Sequence, residues 1–216
     1  MTEVTLRRYT SLPFLIDILK WKKLTLVNPI TWDDKNDSFF ITTYKNRLEL
    51  QSVLALCFAE YHETYFHWKL YAGDTCGVCI EFDKELLLLQ LNDFEGIRSG
   101  YVHYKELDEL RGVELDQLPF TKRYGFSEEN EFRILYEDRY NKFSRKDVPI
   151  NINCIRRVIF NPWIPQHVYK SNRDIIKKMC EVKQLNIIKS TINNNKTWKK
   201  WGSEIAGSTS LKRGMA

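Results

Sequence analysis

Val53-Leu54-Ala55-Leu56-Cys57-Phe58 is a continuous apolar run, short enough to be a single buried strand. Gly77-Val78-Cys79-Ile80-Glu81-Phe82 is a second run of nearly the same kind, interrupted only by Glu81. A strand that is apolar on both faces lies in the interior of a sheet, because both of its faces are covered. We therefore predict that these two runs are the central strands of one sheet.

Shorter patterns extend this sheet along the chain. Alternation and β-forming residues predict further strands at Val4–Thr10, Leu24–Val27, Tyr101–Tyr104, Glu131–Tyr136 and Ile155–Phe160, with an edge strand at Gln184–Lys189. Apolar spacing predicts helices at Leu12–Leu19 and from Ser171 onward, and an unbroken apolar row predicts one at Lys84–Asp93. The charged stretch Lys105–Leu118 is also predicted to be helical, whereas Thr31–Asp37 is predicted to be a loop. Because this order lacks the regular alternation of a doubly wound sheet, the predicted fold class is α+β.

Composition indicates a folded protein that stays inside the cell. The 216 residues are 43% hydrophobic and 13% aromatic, which suits one domain with a sizeable core. No apolar run approaches the length of a membrane span, and residues 1–10 lack the features of a secretory signal. We expect a cytoplasmic protein without membrane contact, and the net charge of +5 permits a polyanionic partner without requiring one.

The cysteines predict reduced thiols rather than disulfides or a metal site. Five is an odd number, and most of these residues sit in or beside apolar, strand-like stretches. Cys76 and Cys79 form a C-x-x-C pair, but zinc needs a second ligand pair, which the four histidines do not supply. We predict no metal ligands.

Three segments place polar or aromatic residues where a plain core would not need them. Arg8-Tyr9-Thr10 ends a strand just before a helix and suits an anion, although a surface Arg beside helix caps is the simpler interpretation. Trp68 and Tyr71 offer flat rings for stacking, or are ordinary core residues. In a strand that begins at Glu129, the sequence Glu129-x-Glu131-x-Arg133 places two carboxylates and a guanidinium on one face, for chemistry or for solvated ion pairs.

Taken together, these segments resemble a prokaryotic domain family of unknown function that is distantly similar to ADP-ribosyltransferases. The residues that carry the resemblance span positions 5 to 165: Arg8-Tyr9-Thr10, Asn28-Pro29, Trp32-Asp33-Asp34, Leu56-Cys57-Phe58, Trp68-x-x-Tyr71-Ala72, Gly77 to Asp83 and Glu129-x-Glu131-x-Arg133. The resemblance implies a split, mostly antiparallel sheet with flanking helices, in a single domain over residues 1–190. Residues 191–216 are then a basic, loosely ordered C-terminal segment.

The resemblance also implies which residues act. Arg8, Tyr9 and Thr10 match a first strand that holds NAD, the substrate, by its nicotinamide ribose and amide. Tyr71, with Trp68, matches a ring that stacks on nicotinamide. Glu131 matches the glutamate that binds ribose and supports cleavage of the glycosidic bond. Glu129 would be the second catalytic carboxyl group, which either supports Glu131 from behind or orients the acceptor.

Two departures separate the chain from the well-characterised transferases. Cys79-Ile80-Glu81 stands where the Arg-Ser-Glu class has Ser-x-Ser, and no histidine matches the His-Tyr-Glu pattern.

The implied function is an NAD-dependent ADP-ribosyltransferase that modifies a macromolecule, nucleic acid or protein, as a toxin or antiphage effector with a possible antitoxin. The alternative is a binding module without catalysis, which uses the cleft and the basic, aromatic segment Lys196–Trp201 to hold a nucleic acid or a protein. A nuclease is a third interpretation, but Asp33, Asp34 and Asp37 lack an evident set of metal-binding partners and are most simply turn and capping residues.

Overall fold

The computed structural model describes residues 4–60, 62–181 and 183–213. The described residues form these strands: β1 (Thr5–Ser11), β2 (Lys23–Val27), β3 (Ser52–Ala59), β4 (Gly77–Asp83), β5 (Ile97–Tyr101), β6 (His103–Lys105), β7 (Thr121–Arg123), β8 (Glu131–Asp138), β9 (Arg145–Pro149), β10 (Ile155–Phe160) and β11 (Asn186–Lys189). The α-helices are α1 (Leu12–Trp21), α2 (Lys35–Arg47), α3 (Tyr65–Tyr71), α4 (Lys84–Leu91), α5 (Gln166–Met179) and α6 (Lys196–Arg213).

Nine of the described strands form one sheet, in the order β11-β10-β4-β1-β3-β2-β9, with β8 pairing β3 and β5 pairing β8. Every pairing in this sheet is antiparallel except that of β10 with β11. β6 and β7 make a separate parallel pair. The predicted α+β class with a mostly antiparallel sheet and flanking helices is therefore confirmed.

The sheet is split at β3. Along its whole length β3 pairs with β8, from Ser52 opposite Asp138 to Ala59 opposite Glu131. On its other side β3 meets β1 only where Arg7 lies opposite Ala59. It meets β2 only where Val27 lies opposite Ala55. The strands therefore diverge between these points, and the gap leaves room for a cavity.

The two apolar runs are central strands, as predicted. Val78, Ile80 and Phe82 of β4 are fully buried, and Leu54 of β3 is too. Together with Leu15 and Leu19 of α1 and the apolar residues of β8 and β10, they form the main hydrophobic core. Because both faces of these strands are covered, their apolar residues need no alternation.

Helix α1 returns the chain from β1 to β2. Pro13 lies in its first turn, where the missing N–H costs no hydrogen bond. Ser11 is the N-cap residue by backbone conformation, but its side chain makes no capping hydrogen bond. The helix ends at Lys22, which has a left-handed backbone (φ 49°).

Four predictions about local structure are wrong. Thr31–Asp37 is not all loop, because Asp34 accepts hydrogen bonds from the N–H groups of Asn36 and Asp37 and starts α2 at Lys35. Lys105–Leu118 does not form an α-helix, since Gly112 and a charged, unpatterned sequence leave only short 3₁₀ turns. β8 begins at Glu131, as predicted for the strand Glu131–Tyr136, but its extension back to Glu129 is wrong, because Asn130 has a left-handed backbone (φ 42°).

The fourth concerns the C-terminal segment, which was predicted to be loosely ordered and contains helix α6. Its described side chains, residues 196–207, are exposed. The division into a domain ending at residue 190 and a separate C-terminal segment stays a prediction.

Among the helices in the described ranges, none combines the length and apolar character needed to cross a membrane.

Candidate active site

A cavity of about 520 Å³ lies at the split in the sheet. Its walls come from β1, β3, the end of α3, the start of α2 and the segment 122–131. This volume is within the range of small-molecule sites in proteins. The lining includes five carboxyl and three cationic side chains: Asp33, Asp34, Asp37, Glu129, Glu131, Arg7, Arg8 and Lys122.

Glu131 is a buried carboxylate in the wall of this cavity, with 5% of the residue exposed. Its Oε1 accepts a hydrogen bond from Arg133 Nε at 2.8 Å, and its Oε2 accepts one from Lys122 Nζ at 3.1 Å. Burial alone would raise the pKa of Glu131, but the charges of Arg133 and Lys122 outweigh it and lower the pKa to about 2. Glu131 is therefore ionised at neutral pH.

Arg133 is held from behind by Asp37. The guanidinium is fully buried and donates from Nη1 to Asp37 Oδ1 at 2.8 Å and from Nη2 to Asp37 Oδ2 at 2.7 Å. Nη1 also donates to the Pro119 carbonyl at 2.6 Å, and the Trp32 ring lies 5.0 Å from the guanidinium carbon. The two-pronged pairing fixes the plane of the guanidinium, so that Nε points at Glu131.

Lys122 links Glu131 to the second carboxyl group of the site. Its ammonium donates to Glu129 Oε2 as well as to Glu131, and lies 3.7 Å from Asp37 Oδ2. Burial alone would lower the pKa of Lys122, but Glu131 and Glu129 outweigh it and raise the pKa, so the ammonium stays charged. Lys122 thus neutralises part of the charge of three carboxylates that lie close together.

Glu129 has the opposite electrostatic character to Glu131. Burial raises the pKa of Glu129 above its usual value, and the opposing effect of Lys122 does not cancel it. Burial, and next to it the charge of this carboxyl group, raise the pKa of the Tyr71 hydroxyl. Two neighbouring carboxyl groups therefore have pKa values shifted in opposite directions, the pattern by which enzymes divide acid–base roles.

The backbone of Glu129 is fixed from the β1 side. His67 Nε2 lies 3.0 Å from the Glu129 carbonyl, and this nitrogen must donate because a carbonyl only accepts. The His67 ring stacks on Tyr9, with centroids 5.3 Å apart and planes 15° apart. Burial lowers the pKa of His67, which favours the neutral ring. This stack connects the cavity wall formed by β1 to the one that carries the carboxyl groups.

The first predicted binding segment lies partly at the cavity. Arg8 and Tyr9 line it, and Arg8 Nη1 donates to the Cys57 carbonyl of β3 at 3.1 Å, which ties the two edges of the split together. Burial lowers the pKa of Arg8. Thr10 is 8% exposed and does not line the cavity, so the predicted contact of its hydroxyl with a ligand has no support in this arrangement.

The two predicted stacking rings have different positions. Tyr71 lines the cavity and is 43% exposed, so part of its side chain is accessible to a ligand. Trp68 is fully buried against Ala72, Cys79 and Ile159, and its Nε1 donates to Glu63 at 2.7 Å. It meets the Tyr9 ring edge-on at 5.1 Å. The expectation of direct stacking by Trp68 is corrected, because its ring is enclosed in the core and supports Tyr9 instead.

The sequence analysis assigned no role in the site to Asp37 or Lys122. Asp37 was interpreted as a turn or capping residue, whereas Asp34 is the cap and Asp37, one turn into α2, is buried against Arg133. Lys122 stands in the polar stretch before Glu129, but nothing in the order of residues shows that its ammonium enters the cavity. A signal for Lys122 was the pair of glutamates, since buried carboxylates require nearby cations. A signal for Asp37 was Arg133, since a buried guanidinium requires acceptors for all its N–H groups.

Residues 67–134 match the family model described as Protein of unknown function (DUF2971). This match confirms the predicted resemblance to a family of unknown function, over the segment from α3 to the middle of β8. The segment contains Tyr71, Lys122, Glu129, Glu131 and Arg133. Among curated proteins, none matches this chain.

Solved structures of DarT from Thermus sp. 2.9 are similar to this chain. The complex with carba-NAD+ is 12% identical, covers 88% of this chain and 97% of that chain, and has a TM-score of 0.46. The complex with NAD+ has 11% identity, coverages of 88% and 96%, and a TM-score of 0.45. The complex with ADP-ribosylated ssDNA has 12% identity, coverages of 88% and 95%, and a TM-score of 0.47. The likeness is distant, although it extends over most of both chains.

Proposed function

We propose that this chain is an NAD-dependent ADP-ribosyltransferase that modifies a macromolecule, nucleic acid or protein. The observation that carries the proposal is the carboxylate of Glu131, held ionised in a cavity wall by Arg133 and Lys122. A buried carboxylate with a pKa of about 2 is a fixed negative charge at neutral pH. Fixed charges of this kind stabilise a positive charge that develops during a reaction.

ADP-ribosyl transfer generates such a positive charge. The bond between the ribose C1 and the nicotinamide nitrogen breaks, and its electron pair goes to the nicotinamide ring, which leaves as a neutral molecule. The ribose then has oxocarbenium character, which a nearby carboxylate stabilises. We assign this role to Glu131.

Glu129 suits the other half of the transfer. The acceptor atom forms a bond to the ribose C1 and must lose a proton. A carboxyl group with a raised pKa is a better base than an ordinary one and takes up this proton more readily. Lys122 contacts both carboxyl groups, and its positive charge reduces the repulsion between them. We therefore assign Glu131 the role of stabilising charge and Glu129 the role of base.

The charges of the cavity also suit NAD as the substrate. The dinucleotide has two negative phosphates and a positively charged nicotinamide ring. Arg8 supplies positive charge on the β1 wall, where Arg7 is paired with Glu81 at 2.9 Å. The carboxyl groups of Glu129 and Glu131 supply negative charge on the other wall. Tyr71 offers an accessible aromatic ring in the cavity wall for stacking. We place the toxin or antiphage role and an antitoxin partner in the proposal through the sequence resemblance, together with the cytoplasmic location expected from the sequence.

The test is incubation of the purified protein with NAD labelled in its adenylate half and with an extract of host cells. Protein, RNA and DNA are then separated and counted. We expect label in one fraction, and no label when Glu131→Gln replaces the wild type. No label in any fraction, with no nicotinamide released, would contradict the proposal.

A second candidate function is a binding module without catalysis on the same fold. The observation that favours it is helix α6, in which Trp198 and Trp201 are exposed beside several lysines. It predicts that binding of a nucleic acid or a protein survives Glu131→Gln and that no nicotinamide is released by the wild type.

A further inference from the structure

The positive charge of this chain is concentrated at its C-terminal end. Residues 182–216 contain seven Lys and Arg residues and one acidic residue, Glu204, which gives a net charge of +6. Residues 1–181 contain 26 basic and 27 acidic residues, a net charge of −1. The main body is therefore close to neutral, and the excess of the whole chain lies in this short segment.

Helix α6 combines this charge with exposed aromatic rings. Trp198 is 77% exposed, Trp201 58% and Ile205 67%. At 3.6 residues per turn these three side chains fall within about 60° of one another around the helix. Lys199 and Lys200 are exposed and lie roughly 100° to either side of this stripe. The two indole rings thus have Lys199 on one edge. On the other edge lies Lys200, whose ammonium is 3.6 Å from Glu204.

We propose that α6 is a binding surface for single-stranded nucleic acid. The exposed indoles provide flat platforms for unpaired bases, and the flanking lysines neutralise phosphates along the strand. Asn195 starts the helix, because its side chain accepts a hydrogen bond from the Trp198 N–H at 2.9 Å and so fixes the first turn. The surface is therefore a structured element rather than a diffuse basic tail.

The exposed rings favour single strands over a duplex. In a duplex the base faces are stacked on one another, so an indole has no face to cover unless base pairs open. An anionic membrane is the other flat, negatively charged partner. However, α6 contains Gly202, Ser203 and Gly207. Among its described side chains only Trp198, Trp201 and Ile205 are large and apolar, which is few for an interfacial helix, because such a helix buries a broad apolar face.

Hydrogen bonds hold the segment that leads into α6 against the body of the protein. Ser190 Oγ is hydrogen-bonded to Glu63, the residue that also accepts from Trp68 Nε1. Asn193 Nδ2 donates to the Pro162 carbonyl at 3.4 Å. Glu63 precedes α3, the helix whose last residue, Tyr71, lines the cavity. A nucleic-acid strand bound on α6 would therefore be held next to α3, the helix that contributes Tyr71 to the cavity.

The experiment measures fluorescence anisotropy of a labelled DNA strand of about 20 nucleotides, a length that covers several stacking positions. No NAD is present, so the result does not depend on the proposed transferase activity. We expect Trp198→Ala with Trp201→Ala to weaken binding about tenfold or more. The control is Trp21→Ala, which removes an indole that is 61% exposed on α1 and should leave binding unchanged.

A matched pair of charge variants tests the phosphate contacts. Lys199→Ala with Lys200→Ala should reduce the slope of log Kd against log salt by about 1.4, because each phosphate contact on a single strand contributes about 0.7. The control, Lys170→Ala with Lys178→Ala, removes two exposed lysines from α5 and should leave the slope unchanged. Alanine favours helices, and circular dichroism verifies that α6 persists.

Four results would overturn the proposal. They are no binding of the single strand, equal affinity for single strand and duplex, full affinity after loss of both tryptophans, and binding only to vesicles of phosphatidylcholine and phosphatidylglycerol. Loss of transferase activity with DNA binding intact would instead contradict the proposed function and leave this inference standing.

Discussion

Replacing Arg133 by methionine tests the buried charge network on which the site depends. Arg133 is fully buried and donates two hydrogen bonds to Asp37, one to Glu131 and one to the Pro119 carbonyl. Methionine fills similar volume but leaves two buried carboxylates facing each other, with Lys122 alone near both. Loss of one partner from a buried ion pair costs about 3–5 kcal/mol.

Urea unfolding at neutral pH measures this cost. For a chain of this size, a loss of about 3–5 kcal/mol in unfolding free energy corresponds to a fall in Tm of roughly 6–20 °C. Asp37→Asn in the Arg133→Met background should recover part of the loss, because one buried charge is removed. The control is Arg156→Met, which breaks the partly exposed pair with Asp83 and should cost about 1 kcal/mol or less. If Arg133→Met costs no more than this control, the network is not buried as described.

Three further predictions concern individual side chains. The pKa of Glu131 is lowered from its usual 4.5 to about 2, so its carboxylate stabilises the fold above about pH 4.5 and this contribution is lost as the pH falls towards 2. Urea unfolding should therefore show that Glu131→Gln lowers the free energy of unfolding by about 3 kcal/mol at neutral pH and by much less near pH 2. Equal losses at the two pH values would contradict this prediction. Lys122→Met should raise the pKa of Glu131 and move the acid limb of nicotinamide release upward by about one pH unit or more, whereas Lys122→Arg should largely restore it. Tyr71→Ala should weaken NAD binding, measured by calorimetry, with little change in stability. Trp68→Ala should lower the free energy of unfolding by about 3–5 kcal/mol. The reverse pattern would show that the two rings are wrongly assigned.

The strands that carry buried apolar runs could be predicted from the sequence. Ile155–Phe160 was predicted with the bounds that the structure has, and β3 and β4 were recognised as central. These patterns are reliable because burial on both faces demands unbroken apolar residues. Helix α2 was missed because it has few apolar residues and is anchored through Asp34, Asp37 and Tyr44, which a hydrophobic pattern does not detect.

The site was predicted in part. Local sequence placed Glu131 beside Arg133, and their ion pair is confirmed. The contribution of Asp37 depends on a contact 96 residues away in the chain, which no local spacing contains. Glu129 was placed on the wrong element, because the left-handed backbone of Asn130 breaks the strand register. Its carboxyl group still joins the cluster, through Lys122. The assignment of catalytic roles to both glutamates stays a prediction.

The most direct test of the central claim is the rate of nicotinamide release from NAD by the purified wild type and by Glu131→Gln. Glu128→Gln is the matched control, since Glu128 is an exposed carboxyl group in the same segment. We predict that Glu131→Gln lowers the rate about 100-fold or more, because the charge that stabilises the ribose is lost, and that Glu128→Gln leaves it unchanged. Equal rates for wild type and folded Glu131→Gln would contradict the assignment of Glu131 as the catalytic carboxylate.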